Sequence, residues 1–241
     1  MVATASVGKR SASFVRDPLA SGWWFRQWGS PQVVAGITDR HIEYAQMLQP
    51  SPWATTTVEA EQIHGTSLAF ISRVGQTPQV VAGCDALVTN LPGLALLVRT
   101  ADCLPLFFAD PVRGVVGIAH AGWRGLAGLL PVKVVAALQH GYHTQPDALA
   151  VAIGPAIRSC CYEVGPEFAA RFGPFVQERH ARRTCDLVAL ALDQLQQCGV
   201  RADRIIDSQH CTGCEPQYWY SLRREGPSTG RLVSFIMLRA S

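Results

Sequence analysis

The chain has 241 residues, of which 48% are apolar and 16% charged, with a formal net charge of +3. That balance is too apolar and too sparsely charged for a disordered chain, and the length suffices for one large core. The arginines are scattered instead of forming a basic stripe, which argues against nucleic acid as the main partner. No apolar run approaches the roughly 20 residues that span a bilayer, so no membrane partner is expected.

Residues 1–16 carry Lys9 and Arg10 but no apolar segment of the secretory-signal kind. Residues 1–30 therefore read as an N-terminal leader, partly flexible, and 31–241 as a single domain without an internal linker. Strand-like segments follow at 32–37, 67–72, 86–89, 94–98, 104–108, 114–119, 149–153 and 234–238. Helical periodicity is confined to 125–140 and 184–198, the second ending at Gly199. Segments 94–98, 104–108 and 114–119 are joined by short polar or Pro/Gly-bearing links, which predicts antiparallel or mixed pairing among them over repeated βαβ crossovers. The expected class is α+β, with 234–238 tying the C-terminal end into a sheet.

Eight cysteines are present, at 84, 103, 160, 161, 185, 198, 211 and 214. A disulfide framework belongs to short secreted chains, so a reduced, cytoplasmic setting is expected. Most of these thiols read as small buried hydrophobes. Cys211 and Cys214 form a C-x-x-C with no partner C-x-x-C and read as a plain loop, while adjacent Cys160 and Cys161 would point to opposite faces of an extended segment.

Three segments place a metal-binding residue type at the edge of a strand: Gln62-Ile63-His64-Gly65, Thr100-Ala101-Asp102-Cys103-Leu104-Pro105 and His120-Ala121-Gly122-Trp123-Arg124-Gly125. Strand ends hold side chains rigidly while letting them converge on a cavity. Two imidazoles and a thiolate are the donors that zinc takes, with a fourth position left for water. The spacing contains no local pattern such as H-E-x-x-H, so hydrogen-bonded turn histidines remain the alternative on the residues alone.

The chain resembles the bacterial YfiH-like proteins, known as polyphenol oxidase or laccase-domain proteins and also as purine nucleoside phosphorylases. The resemblance runs from about residue 32 to the C-terminus through QIHG (62–65), CDALVTN (84–90), RTADCLPLFFAD (99–110), GIAHAGWRGL (117–126), IGPAI (153–157), CYEVGPE (161–167) and SLRREGPSTGR (221–231). It implies that His64, Cys103 and His120 bind the metal, with zinc as the cofactor and copper as the alternative. It implies four layers, α/β/β/α, with mixed β-sheets similar to the deamidase toxins of the cytotoxic necrotizing factor type. The implied activities are phosphorolysis of adenosine, inosine, guanosine and methylthioadenosine, and deamination of adenosine. The partners are then a small-molecule nucleoside and phosphate, in a monomer or weak homo-oligomer; some relatives are linked instead to editing of peptidoglycan precursors.

Deamination needs a nucleophile at neutral pH, which a zinc site provides by lowering the pKa of water to about 7. Asp102, beside Cys103, is the nearest candidate to orient that water or move protons; a turn-capping carboxylate is the alternative. Phosphorolysis needs a fixed guanidinium for phosphate. Arg40 aligns with an arginine of the family's S-T-R-x-G-G segment, but His41, Ile42 and Glu43 replace the glycine pair. Arg124 is a further candidate for substrate or phosphate, Arg223 and Arg224 read as supporting groups, and Trp123 reads as packing.

Two rival enzymes share these residues. A four-copper polyphenol oxidase needs roughly ten histidines, whereas seven are present and none forms an H-x-H pair. A metal-free hydrolase would use Cys103 as thiolate and His120 as base. Outside enzymology, a binding module with a structural metal would need a fourth protein ligand, and the sequence shows no clear one.

Overall fold

Residues 104–121 set the layering. Along the strand Leu104–Asp110, the side chains of Leu104, Leu106 and Phe108 join one buried cluster and those of Phe107 and Ala109 another. Along Val115–Ala121, Val115, Ala119 and Ala121 go with the first cluster and Val116 and Ile118 with the second. Alternation of this kind follows from the period of two in an extended chain, and with both faces apolar the sheet must be covered on both sides. A computed structural model describes residues 13–17, 22–47, 56–73, 75, 79–179 and 182–240 of the chain.

A six-stranded sheet runs in the order Ile205–Asp207, Ala150–Ile153, Leu104–Asp110, Val115–Ala121, Ala86–Thr89, Leu68–Ile71. A seven-stranded sheet runs Ser13–Arg16, Trp23–Arg26, Val33–Ile37, Leu232–Leu238, Leu94–Thr100, Thr56–Ala60, Gln79–Val81. Both are mixed, since Thr56–Ala60 lies parallel to each of its neighbours and Leu68–Ile71 is parallel to Ala86–Thr89. Between the sheets lie Ile37, Leu87, Leu96, Val98, Phe107 and Ile118. Helices Leu130–Tyr142 and Leu187–Gln197 cover the outer face of the six-stranded sheet through Val134, Leu138, Ala191 and Leu195. On the outer face of the other sheet Phe235 and Met237 pack with Met47 of the one-turn helix Tyr44–Met47. The layers are α/β/β/α, as the resemblance implied.

Four expectations are corrected. Residues 13–16 and 23–26 are not leader: they form an antiparallel pair at the edge of the seven-stranded sheet. The run Trp23-Trp24-Phe25 explains why, because Trp23 and Phe25 fill the space between the sheets while Trp24 packs on Phe235 outside, and such apolar area favours burial strongly. Residues 1–12 lie outside the described residues. Second, Leu104–Asp110 does pair antiparallel with Val115–Ala121, but Leu94–Thr100 belongs to the other sheet, between Leu232–Leu238 and Thr56–Ala60. The chain therefore crosses between sheets at 101–103, with Asp102 at φ 85° making the corner.

Third, the helical pattern at 125–140 is two helices, Trp123–Ala127 and Leu130–Tyr142, broken at Leu129 in the left-handed conformation. Pro131 sits in the first turn of the second helix, where its missing N–H costs nothing, and would disrupt a continuous one. Fourth, the helix expected from 184 starts at Leu187, capped by Asp186, whose carboxylate accepts the Ala189 amide at 2.9 Å; Arg182–Cys185 is a strand paired with Val176–Arg179.

Candidate metal centre

The sheet crossover and two strand ends bring His64, Cys103 and His120 together. His120 is the penultimate residue of Val115–Ala121 and shares the parity of Val116 and Ile118, so it faces inward between the sheets and is 3% exposed. Cys103 closes the crossover link before Leu104 and is half-buried; His64 lies on the loop after Thr56–Ala60 and is exposed. Their ligand atoms lie within 4.8 Å of one another, and the two imidazole rings stand at 87° with centroids 4.8 Å apart. An ion with bonds of about 2.0–2.3 Å to nitrogen and sulfur bridges such separations with small side-chain adjustments. The donor set, two imidazoles and a thiol, fits zinc or copper.

Asp85, a residue the sequence reading left without a role, organises this group. It is fully buried, and its Oδ1 pairs with Nδ1 of His120 at 2.8 Å. The same carboxylate accepts the amides of His64 (3.0 Å) and Gly65 (2.7 Å), while its carbonyl oxygen accepts the His120 amide at 2.8 Å. With Nδ1 occupied, Nε2 is the nitrogen of His120 left for a metal, an arrangement common among metal-binding histidines. Burial pushes the Asp85 carboxyl up, but His120 and the amides of Gly65 and His64 outweigh it and hold the group below its ordinary range. For His120, burial opposes protonation and is overcome by Asp85 and Cys103, which carry it up to about 9. Burial likewise opposes ionisation of Cys103, and His120 and His64 bring its thiol down to about 7.

Local backbone geometry fixes these positions. Gln62, His64 and Asp102 all have φ between 58° and 85°, a conformation that costs non-glycine residues on the order of 1–3 kcal/mol each and persists where surroundings enforce it. The Gln62 side chain is one such constraint, donating to the Arg99 carbonyl at 2.6 Å and accepting the Arg99 amide at 2.7 Å. Gly122 admits the sulfur: a Cβ there would stand 2.9 Å from Cys103 Sγ and 3.6 Å from His64 Cδ2.

The other predicted site residues are placed differently. Asp102 does not join the cluster of ligand atoms. Its Oδ1 accepts the Thr212 hydroxyl at 2.6 Å and its Oδ2 the Arg223 amide at 2.7 Å, so the carboxylate ties the crossover that carries Cys103 to both segments. Arg40 lines a separate cavity of about 510 Å³ with His41, Arg99, Tyr220 and Arg231. Its guanidinium is held by the Pro216 carbonyl at 2.6 Å and Glu225 at 3.0 Å. Arg124 is exposed, lies over the Trp123 ring at 4.6 Å, and has no carboxylate partner among the described residues.

A cleft of about 420 Å³ opens beside the three-residue cluster, lined by Trp123, Tyr162, Glu163, Glu167, Phe168 and Arg223 among others. Trp123 follows Gly122 directly and packs on Phe168 at 5.5 Å. Tyr162, covered by the Arg223 guanidinium at 5.0 Å, has its phenol pushed up to about 12 by burial, with Arg223 opposing and Cys103 and Asp102 adding to the rise. Trp123 lines the cleft and directly follows Gly122, which abuts the Cys103 sulfur, so the cleft adjoins the cluster. Tyr162 and Glu163 lay inside a quoted motif, CYEVGPE, but nothing in their spacing pointed at the site.

Comparison with known proteins agrees with this architecture. A family model described as "Multi-copper polyphenol oxidoreductase laccase" matches residues 35–239. The chain is 35% identical over 191 residues to "Purine nucleoside phosphorylase YlmD" of Geobacillus stearothermophilus, covering 73% of this chain and 70% of that protein. It is 34% identical over 198 residues to "Adenosine deaminase RL5" from an unknown prokaryotic organism, covering 74% of each. The crystal structure of YlmD from Geobacillus stearothermophilus superposes with a TM-score of 0.81 at 29% identity, covering 95% of this chain and 100% of that one. The chain therefore belongs to the laccase-like family of multi-copper polyphenol oxidoreductase description, whose fold it shares with YlmD.

Proposed function

We propose that this protein is a metal-dependent purine nucleoside phosphorylase that also deaminates adenosine, with adenosine, inosine, guanosine and methylthioadenosine as substrates and one zinc ion held at this site by His64, Cys103 and His120. The observation that carries the reading is the convergence of these three side chains from separate strand ends, graded from buried His120 to exposed His64, so that one side of the cluster faces solvent. The names of the YlmD and RL5 relatives support it. When bound, the ion supplies Lewis acidity and makes water acidic enough to act at neutral pH.

The remaining work falls to the chain itself. Asp85 orients His120, and Gly122 leaves room for the sulfur. The cleft between Trp123, Tyr162 and Phe168 offers apolar ring surfaces of the size and kind that a purine stacks upon, with Arg223 at its rim. Arg124, lacking a carboxylate partner among the described residues, is the guanidinium best able to take phosphate; Arg40, already paired with Glu225, is the weaker candidate. A cytoplasmic setting agrees with eight unbridged thiols, and no helix among the described residues is long and apolar enough to cross a membrane.

Copper is the alternative ion, because Cu²⁺ outcompetes zinc at most nitrogen and sulfur sites. Seven histidines, only two of them in a ligand cluster among the described residues, weigh against a four-copper oxidase. The test is to incubate metal-quantified protein with adenosine, with and without phosphate, and separate the products. Adenine with ribose 1-phosphate is expected when phosphate is present, together with some inosine. Unchanged product formation in His64→Ala, Cys103→Ala and His120→Ala would overturn the assignment.

One observation favours a second reading: Cys103, His120 and Asp85 also stand in the order thiol, imidazole, carboxylate of a metal-free nucleophilic site. Full activity after chelation, with covalent labelling of Cys103 by an electrophile, would select it.

A further inference from the structure

We propose a second metal site in this protein, a closed tetrathiolate formed by Cys160, Cys161, Cys211 and Cys214 that binds zinc and braces the first site. The four sulfurs lie within 4.8 Å of one another. Cys160 Sγ is 3.4 Å from both Cys211 Sγ and Cys214 Sγ, and Cys161 Sγ is 3.3 Å from Cys214 Sγ. None is bridged to another, and these separations are far beyond a disulfide bond of about 2.05 Å. They are close to the edge of about 3.8 Å expected for a tetrahedron of sulfurs around zinc at about 2.3 Å.

Reading 211–214 as a plain loop missed this because the partner cysteines are not a C-x-x-C. They are the adjacent pair 160–161, and that pair is not extended: the Cys161 and Tyr162 amides both donate to the Arg158 carbonyl at 2.8 Å, a turn that lets both sulfurs reach one point. The segments are tied together beforehand by the bridge between Ala156 and Cys211 and by the Thr212 amide donating to the Ala156 carbonyl at 3.1 Å.

Gly213 is the residue the site needs, because a Cβ there would lie 2.8 Å from Cys161 Sγ and 2.7 Å from Cys161 Cβ. Four sulfurs this close can all ionise only with a cation among them, and four sulfur donors in a tetrahedral set suit zinc. Closed by four protein ligands, the site is structural.

Its position gives it a role. Thr212, between Cys211 and Cys214, donates its hydroxyl to Asp102, and Asp102 precedes Cys103. Arg224 fixes the same turn by donating to the Thr212 carbonyl at 2.5 Å and the Gly213 carbonyl at 3.1 Å. The tetrathiolate thus holds the hydroxyl that positions the sheet crossover.

The experiment is native mass spectrometry with elemental analysis on the full chain produced with zinc. Wild type is expected to carry two ions. The triple variant His64→Ala, Cys103→Ala, His120→Ala is expected to keep one, and Cys214→Ser is expected to lose that one. Should Cys214→Ser fail to fold, cobalt exchanged into the triple variant is expected to show intense sulfur-to-metal charge transfer and the visible bands of tetrahedral cobalt. A folded triple variant with no metal and no cobalt spectrum would overturn the proposal, as would recovery of the four cysteines as disulfides or iron in place of zinc.

Discussion

Asp85 reaches both histidines of the candidate metal centre at once, through Nδ1 of His120 at 2.8 Å and the backbone amide of His64 at 3.0 Å. One buried carboxylate thus sets the ring orientation of a strand residue and the backbone of a loop residue. In Asp85→Asn one carboxylate oxygen becomes an NH₂ donor facing an N–H donor, and the anionic partner of His120 is lost. Loss of such an outer partner lowers metal affinity by about 10- to 100-fold, and leaving a buried donor unsatisfied costs about 1–3 kcal/mol. Competition with a chromogenic chelator and thermal unfolding measure the two effects. Wild-type affinity in Asp85→Asn would show that the carboxylate does not orient His120.

Gly122→Ala places a methyl group 2.9 Å from Cys103 Sγ. The strand before it and the helix Trp123–Ala127 after it leave little room to move, so the sulfur must give way. The variant is expected to fold with a small change in unfolding temperature but to hold metal at least about tenfold more weakly, a split between packing and site geometry that a cavity or overpacking effect in the core would not produce. Equal metal retention in Gly122→Ala and wild type would show that the sulfur tolerates the displacement.

The trio His64, Cys103 and His120 was singled out through motifs that resemble a known family, since the residues alone left hydrogen-bonded turn histidines open, and the structure brings the three side chains together; the strands announced their positions through alternation. Asp85 was not, although it lies in CDALVTN, because a carboxylate before an apolar strand carries no periodic signal and its partners are 20 and 35 residues away in sequence. The crossing at 101–103 was hidden for a different reason. Leu94–Thr100 and Leu104–Asp110 are both buried strands, and composition cannot tell a hairpin from a corner between facing sheets. The four-cysteine cluster was invisible for the same reason as Asp85, since only tertiary structure brings 160–161 to 211–214.

Asp102 separates a proton carrier from an anchor. Its two oxygens bind Thr212 and Arg223, so Thr212→Val is expected to reproduce much of the effect of Asp102→Ala on metal affinity and turnover. The double variant is expected to lose little more than Asp102→Ala alone, the non-additivity of groups acting through one contact. A proton carrier would behave otherwise: Asp102→Ala would lower kcat and flatten its pH profile, while Thr212→Val would leave both intact.

Arg40 and Arg124 are distinguished by what already holds them. The Glu225 carboxyl is held down to about 2 from an ordinary 4.5, first by Thr229 and Arg224, with burial opposing and Arg40 adding to the fall. A carboxyl lowered on folding adds stability that is complete above about pH 4.5 and is lost as pH falls through about 2. Glu225→Gln should therefore lower stability at neutral pH and flatten the acid limb between those limits, measured by denaturant unfolding at stepped pH. Arg40→Met removes one of the three partners, so it should raise the Glu225 pKa, move the lower end of that limb upward toward 4.5 and reduce neutral stability in the same direction. Because Arg40 is so engaged, its loss should change the KM for phosphate little. Arg124→Met, which breaks no ion pair among the described residues, should leave the unfolding curve in place and raise the phosphate KM roughly tenfold or more, the size of a lost charge-assisted contact of about 1.5–3 kcal/mol. The reverse pattern, a phosphate KM that follows Arg40 and ignores Arg124, would move the anion site to the cavity that Arg40 shares with Arg99 and Arg231.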